Sequence, residues 1–471
     1  MKKYNILKAA TWYTVGNVLI RGISFFLLPV FTVLMNTTDY GIYSVYTSYL
    51  TIFETVMLLG LSNTVSIAKY SKDICFESYM ASIVLIPILL TVIFSIPLNI
   101  FVIIRKQLLS MNGTLWNFLF ITAAAASVLN IIGARLVTEG RYKPFMIYSL
   151  CYVLGNSGIS FFLCFTVFKN HDTYMARVIG QCIPNVIVAI VLYLCFTKRQ
   201  HINIKLIKIA VIWGIPLLFH TAATVLLTQS DRIIIKLFNG YSDAGIYSIA
   251  VNIIVIPMVI ETSIVNAITP WTLEKLAEKE YRSLFELNNK VMLFFAFLIA
   301  EFTLISPEII HLFTDKAYWD SIYSLIPLSI SVFGELLYSM PIVVESINKQ
   351  TWSITFATIT ALAINIVLDI VFIKLYGYPG AAYATSISKL ILFGMHSLFA
   401  HRIDKNSIFS WRYVSGSVIF LILINVFAVQ TVKHIVVRYT GFVVIGFIFV
   451  GILWKNRVAL LALFKSKNSI E

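Results

Sequence analysis

Apolar runs of about twenty residues follow one another along almost the whole chain, separated by short polar stretches that hold most of the lysines and arginines. The pattern predicts helices near residues 10–34, 42–67, 80–104, 115–138, 145–168 and 176–197. A second set follows near 206–228, 244–268, 291–313, 322–347, 352–374 and 379–400, and two more close the chain near 413–432 and 439–454. Lipid gives backbone N–H and C=O groups no partners, so only helices and closed barrels cross it. Runs of this length fit helices, because a spanning strand needs only about ten residues. The chain therefore reads as an all-α polytopic membrane protein with about fourteen transmembrane helices.

An internal repeat organises these elements. Asp39-Tyr-Gly-Ile-Tyr-Ser44 returns as Asp243-Ala-Gly-Ile-Tyr-Ser248, 204 residues later. Glu139 and Lys143 are echoed by Glu345 and Lys349, Asn156 by Asn365, and Lys8 and Trp12 by Lys208 and Trp213. An even number of helices separates the matched elements, so the halves run parallel about an axis along the membrane normal, as in many transporters. Three regions follow: an N-terminal six-helix bundle at 1–200, a C-terminal six-helix bundle at 201–402 that repeats it in parallel, and two additional transmembrane helices with a cytoplasmic tail at 403–471.

Composition narrows the class. Of 471 residues, 59% are hydrophobic and 12% charged, with 36 Lys and Arg against 22 Asp and Glu. The excess of +14 does not indicate nucleic acid, because the cations lie in the loops. With the N-terminus inside, roughly 23 fall on the cytoplasmic side against roughly 10 outside, and an even helix count puts both termini in the cytoplasm. Arg21 interrupts the first apolar run and no small-residue cleavage site follows, so that run reads as a retained membrane helix. The stretch 272–290, rich in Glu and Lys, reads as an amphipathic helix on the cytoplasmic face. Five scattered cysteines form no C-x-x-C pair and read as small buried hydrophobes; neither a metal site, a disulfide framework nor a cofactor is expected.

Charges inside the spans carry the candidate chemistry. Arg21 lies within the first span, Arg135 near the end of the fourth, Asp231, Arg232 and Lys236 at the junction of the seventh and eighth, and Lys389 in the twelfth. Each ionised group at mid-bilayer costs about 2.5–3.5 kcal/mol, so these groups should face water or one another. One reading is a cavity lined by these six residues that receives an anion; phosphate suits the planar donor fork of guanidinium. The other is structural pairing, Asp231 with Arg232 and Arg135 with Glu139. Glu54, Glu261 and Asp369 are candidates for ion or proton coupling.

Four segments carry a family likeness: Arg21-Gly-Ile-Ser-Phe-Phe-Leu-Leu-Pro-Val30 with Asp39-Tyr-Gly-Ile-Tyr43; Leu59-Gly-Leu61; Asp231-Arg232-Ile-Ile-Ile-Lys-Leu with Ala244-Gly-Ile-Tyr-Ser248; and Tyr376-Gly-Tyr-Pro-Gly-Ala-Ala-Tyr-Ala-Thr-Ser386. In that order and spacing the chain resembles the polysaccharide-transport branch of the multidrug/oligosaccharidyl-lipid/polysaccharide exporter superfamily, the O-antigen flippases. The resemblance implies two six-helix bundles in a V around a central cavity, plus two C-terminal helices. It implies a non-enzymatic flippase of the bacterial inner membrane that moves undecaprenyl-diphosphate-linked oligosaccharide by alternating access, with membrane lipids, and the polymerase and chain-length regulator of the same pathway, as partners. No nucleotide-binding G-x-x-x-x-G-K-[ST] occurs, so ion or proton antiport is expected by analogy. Rival readings are a flippase of peptidoglycan precursor (lipid II type), a drug or cation exporter with an acidic cavity, and a membrane polymerase or ligase, which would need a long catalytic loop.

Overall fold

A computed structural model of the chain describes residues 22–23, 25–105, 111–169, 171–197 and 201–455. The greater part of the expected first span, Arg21 included, lies outside the described residues. Seventeen α-helices occur among them: α1 (Leu28–Leu34), α2 (Thr37–Leu58), α3 (Leu61–Tyr70), α4 (Phe76–Ile83), α5 (Leu85–Arg105), α6 (Gly113–Thr138), α7 (Tyr142–Phe165), α8 (Thr173–Phe196), α9 (Ile204–Asn239), α10 (Tyr241–Ile253), α11 (Val255–Ala277), α12 (Tyr281–Phe313), α13 (Ile322–Ile347), α14 (Thr351–Tyr376), α15 (Pro379–Ile403), α16 (Trp411–Thr431) and α17 (Ile435–Lys455).

Eleven helical segments among the described residues are long and apolar enough to cross a membrane; four of them join two consecutive helical pieces, as α2 and α3 do over Thr37–Tyr70. The protein is an all-helical, multi-pass membrane protein, as the apolar pattern predicts. Its outward faces fit lipid: on α5, Ile88, Leu89, Val92 and Ile93 are all exposed. Water would make such a patch a liability, whereas hydrocarbon accepts it.

Three segments depart from the sequence reading, each for a backbone reason. The seventh span does not stop near 228: α9 is one 36-residue helix, ended by Gly240 at φ 93°, so Asp231, Arg232 and Lys236 lie in its last three turns. The stretch 272–290 is not a surface helix. α11 continues to Ala277, Lys279 turns the chain at φ 59°, and α12 starts at Tyr281. Leu59 and Gly60, at φ 47° and 69°, break the second span and let it resume as α3. The break brings α9 close, since a Cβ on Gly214 would lie 2.2 Å from the Leu59 carbonyl oxygen.

The chain divides into two compact units. The first holds the described residues up to Asn252 together with Phe313–Tyr318 and Thr358–Ala381; the second holds Ile253–Leu312, Trp319–Ala357 and the described residues from Ala382 onward. In the first unit α8 packs on α6 and α7, while α2 packs on α6 and α9. Leu61, Val65, Tyr79, Met80, Ile83, Leu129 and Ile132 form one buried core there. The two copies of the D-x-G-I-Y-S motif meet inside this unit, where α2 crosses α10 at Gly41 and Gly245, and the Thr37 and Ser242 hydroxyls lie 2.8 Å apart. In the second unit α13 packs on α11 and α16, and α16 on α17.

Candidate functional site

Two arginines of the first unit reach α2. Arg232, on α9, donates from Nη1 to Gln229 Oε1 at 2.9 Å and to Ser48 Oγ at 3.4 Å; Ser48 donates to the same Gln229 oxygen at 3.1 Å. Arg177, in the second turn of α8, lies 3.8 Å from the Phe31 ring centroid and 4.6 Å from that of Tyr43, and donates to the Tyr43 hydroxyl at 3.3 Å. Both are half-buried, and the Tyr40 side chain is within electrostatic reach of both. Neither forms an ion pair among the described residues. Both Nε atoms are buried with no hydrogen-bond partner there. Guanidinium groups held by aromatic faces and neutral oxygens keep their charge available for an incoming anion.

A carboxyl cluster lies beside Arg232. Asp231 Oδ2 accepts from the Tyr247 hydroxyl of α10, and the Asp369 carboxyl of α14 lies within electrostatic reach of Asp231. Asp231 is 3% exposed and Asp369 fully buried. One turn before Asp369, Asn365 accepts from Ser230 Oγ at 3.4 Å and keeps a buried, unpartnered amide nitrogen. Two buried carboxyls that feel each other repel unless a proton or a cation is shared between them. Lys236, also buried, sets its ammonium 5.3 Å from the Tyr241 ring centroid.

The remaining candidates lie elsewhere. Arg135 of α6 is saturated: it forks onto Glu77 at 2.7 and 3.1 Å, and donates to Glu139 at 3.1 Å and the Phe196 carbonyl at 2.6 Å. That is the structural pairing the sequence left open, with Glu77 added. In the second unit Lys389 of α15 meets Glu335 of α13 at 2.5 Å, Tyr338 donates to the other Glu335 oxygen at 3.0 Å, and Glu261 of α11 feels both charges. Gly334 allows this approach, since a Cβ there would lie 2.9 Å from Lys389 Cβ. Glu54 of α2 accepts from Asn130 of α6 at 2.6 Å.

The structure thus gathers Arg232, Asp231, Lys236 and Asp369 around the last turns of α9. It leaves Arg135 and Glu54 apart from them, and Glu261 and Lys389 in the other unit; Arg21 lies outside the described residues. Sequence reasoning missed Arg177 and Asn365. Arg177 falls at the lip of the span expected from 176, where it passes for an interfacial charge; its signal is the four-residue ladder Arg177, Gln181, Asn185.

The family model of polysaccharide biosynthesis proteins matches residues 6–274. Among solved structures the chain is similar to a lipid II flippase MurJ in an inward closed conformation, with TM-score 0.71 and 16% identity over 96% of this chain and 100% of that one. It is similar to an inward-facing multidrug resistance MATE family transporter of the MOP superfamily, with TM-score 0.64 and 13% identity over 84% and 98%. A MOP superfamily transporter from Pyrococcus furiosus, described by the reversed polarity of its binding pocket, has TM-score 0.56 and 14% identity over 84% and 95%. At these identities the likeness is one of fold, and the fold is that of MOP transporters. No curated protein matches the chain in sequence.

Proposed function

The chain belongs to the polysaccharide biosynthesis protein family, and from that premise we propose that it is a flippase for undecaprenyl-diphosphate-linked oligosaccharide, the repeat unit of O-antigen or a similar surface polysaccharide. It carries the unit from the cytoplasmic to the periplasmic leaflet of the bacterial inner membrane by alternating access, with both termini cytoplasmic. The observation that carries this reading is the pair Arg177 and Arg232, half-buried in a membrane protein and in no ion pair among the described residues. A diphosphate supplies the missing anion and matches two donor forks. Arg135 and Lys389, whose charges are already met, support the fold.

Coupling rests on Asp231 and Asp369. Binding and release of a proton or a monovalent cation between them changes the charge next to Arg232, which links the gradient to the anion site. Lipid II is the second substrate to weigh, because the fold likeness extends over the full length of a lipid II flippase. In the cell the polymerase and chain-length regulator of the same pathway would receive the product.

A deletion strain scored by mass spectrometry decides between these. Accumulation of a lipid-linked repeat unit on the cytoplasmic leaflet is expected. Accumulation of peptidoglycan precursor selects the second substrate, and normal long-chain polymer with no accumulated intermediate removes both.

A further inference from the structure

Polar side chains run in ladders through the apolar bundle of the first unit. On α8, Arg177, Gln181 and Asn185 fall four residues apart and so share one helix face. On α7, Tyr152 and Asn156 do the same. The ladders are joined. Tyr43 of α2, already in contact with Arg177, donates its hydroxyl to Gln181 Oε1 at 3.2 Å. Tyr152 lies within electrostatic reach of Asn185, Asn156, Tyr43 and Glu54. Glu54 ends the track on α2, held at one oxygen by Asn130 of α6.

Hydrogen bonds between helices also serve as packing glue in membranes. Glue spends its donors and acceptors on neighbours, and this track does not. Gln181 Nε2, Asn130 Oδ1 and Glu54 Oε2 have no hydrogen-bond partner among the described residues. The Gln181 and Glu54 atoms are not among the buried unpartnered ones, and Asn130 is exposed. Glu54 was expected as a coupling acid, yet its close partner is an amide rather than a second acid.

The open groups select a ligand class. A phosphate would be repelled by Glu54, and a prenyl chain has no use for hydrogen bonds. A sugar ring presents adjacent hydroxyls that both donate and accept, which suits amides and a carboxyl, and it presents C–H faces that suit a tyrosine ring. From Tyr43 to Glu54 the track follows α2 for about 16 Å, long enough for a short oligosaccharide.

We propose that this wall of α2, α6, α7 and α8 binds the glycan of the lipid-linked substrate, with Gln181, Asn130, Glu54 and Tyr152 reading ring hydroxyls while the diphosphate sits at Arg177 and Arg232. The inference rests on the flippase reading above. It gives the glycan a track of its own, separate from the anion site.

The test uses the full chain in nanodiscs and three probes: undecaprenyl diphosphate, the lipid-linked oligosaccharide pool extracted from cells lacking the protein, and the free oligosaccharide released from that pool. Wild-type protein should bind the glycan-bearing lipid about tenfold or more tighter than undecaprenyl diphosphate. Tyr152→Phe and Asn156→Ala should each reduce that ratio about three- to tenfold, the effect of one lost hydrogen bond. A ratio near one in the wild type, or a ratio unchanged in both variants, overturns the track. If undecaprenyl diphosphate fails to bind while the free oligosaccharide binds and is weakened by both variants, the track stands and the diphosphate reading falls. If neither binds, both fall.

Discussion

Gly41 and Gly245, the third residues of the two copies of one repeated motif, lie backbone to backbone. A Cβ on Gly245 would fall 2.9 Å from Gly41 N and 2.2 Å from the Thr37 carbonyl oxygen; a Cβ on Gly41 would fall 1.7 Å from the Tyr241 carbonyl oxygen. Both sides of this crossing carry the glycine of the repeated motif, and neither leaves room for a Cβ. Gly41→Ala and Gly245→Ala must push α2 and α10 apart, and backbone atoms cannot swing away. Overpacking of this kind costs about 1–3 kcal/mol or more. Each variant should lower the melting temperature of the detergent-solubilised protein and the level of surface glycan; Gly158→Ala, where nothing lies within 4 Å of the added atom, should change neither.

Arg232→Ala should abolish complementation of a deletion strain without lowering protein level, and Arg21→Ala should do the same. Loss of one charged hydrogen-bonding group removes about 1.5–3 kcal/mol, or about ten- to hundredfold in affinity for undecaprenyl diphosphate. Arg232→Lys should recover part of the binding, since an ammonium keeps the charge and loses the fork. Wild-type surface glycan in both alanine variants would remove the basic-site mechanism.

Asp369→Asn keeps the shape of the side chain and offers Asp231 an N–H, but it no longer exchanges a proton or ligates a cation with the same charge. In proteoliposomes the wild type should respond to an imposed proton or sodium gradient. The variant should bind substrate and lose that response. A full response in the variant would place coupling elsewhere.

Lys389→Met should act through stability. Removing one partner of a buried ion pair costs about 3–5 kcal/mol, and the one-quarter exposure of Glu335 puts this pair at the lower end. The double variant Lys389→Met with Glu335→Leu should regain most of the lost melting temperature. Recovery of stability without recovery of transport would return Lys389 to the substrate site.

Asp404 ties the turn after α15 to α12. Burial pushes its carboxyl up, but the Tyr281 hydroxyl at 2.5 Å and the Asn406 N–H groups outweigh burial and hold it below the usual carboxylate range. A carboxyl lowered on folding stabilises above its unfolded pKa, about 3.9, and the contribution is lost as pH falls through the lower folded value. Hydrogen exchange around 404–406, taken relative to the intrinsic rate at each pH, should therefore be flat from pH 5 to 8 and rise only in stronger acid. Tyr281→Phe should raise it throughout.

The helices were legible because lipid enforces one pattern, about twenty apolar residues per crossing. The repeat was legible because glycine has no substitute where two backbones touch, as at Gly41 and Gly245. Breaks set by single residues were not: positive φ at Lys279 turned an expected surface helix into two helix ends, and the stop at Gly240 drew three charges into α9. The site was legible only as a set of costly residues. Arg135 and Arg232 each have an acid nearby in sequence, yet Arg135 closes on Glu139 and on Glu77 from α4, while Arg232 forms no ion pair among the described residues. Arg177 was hidden by its place at a span end, where an arginine is ordinary.

α9 and α10 belong to the second half of the duplicated sequence, yet both pack within the first compact unit. A gene severed after codon 200 would therefore release a fragment whose glycine-lined α2 surface has lost its cover, and whose anion site keeps one arginine of two. Severing it after codon 252 leaves that surface covered and both arginines together, so reassembly from co-expressed pieces should succeed at the later cut and fail at the earlier one. The cut after codon 200 runs through a compact unit, whereas the cut after codon 252 falls at its edge.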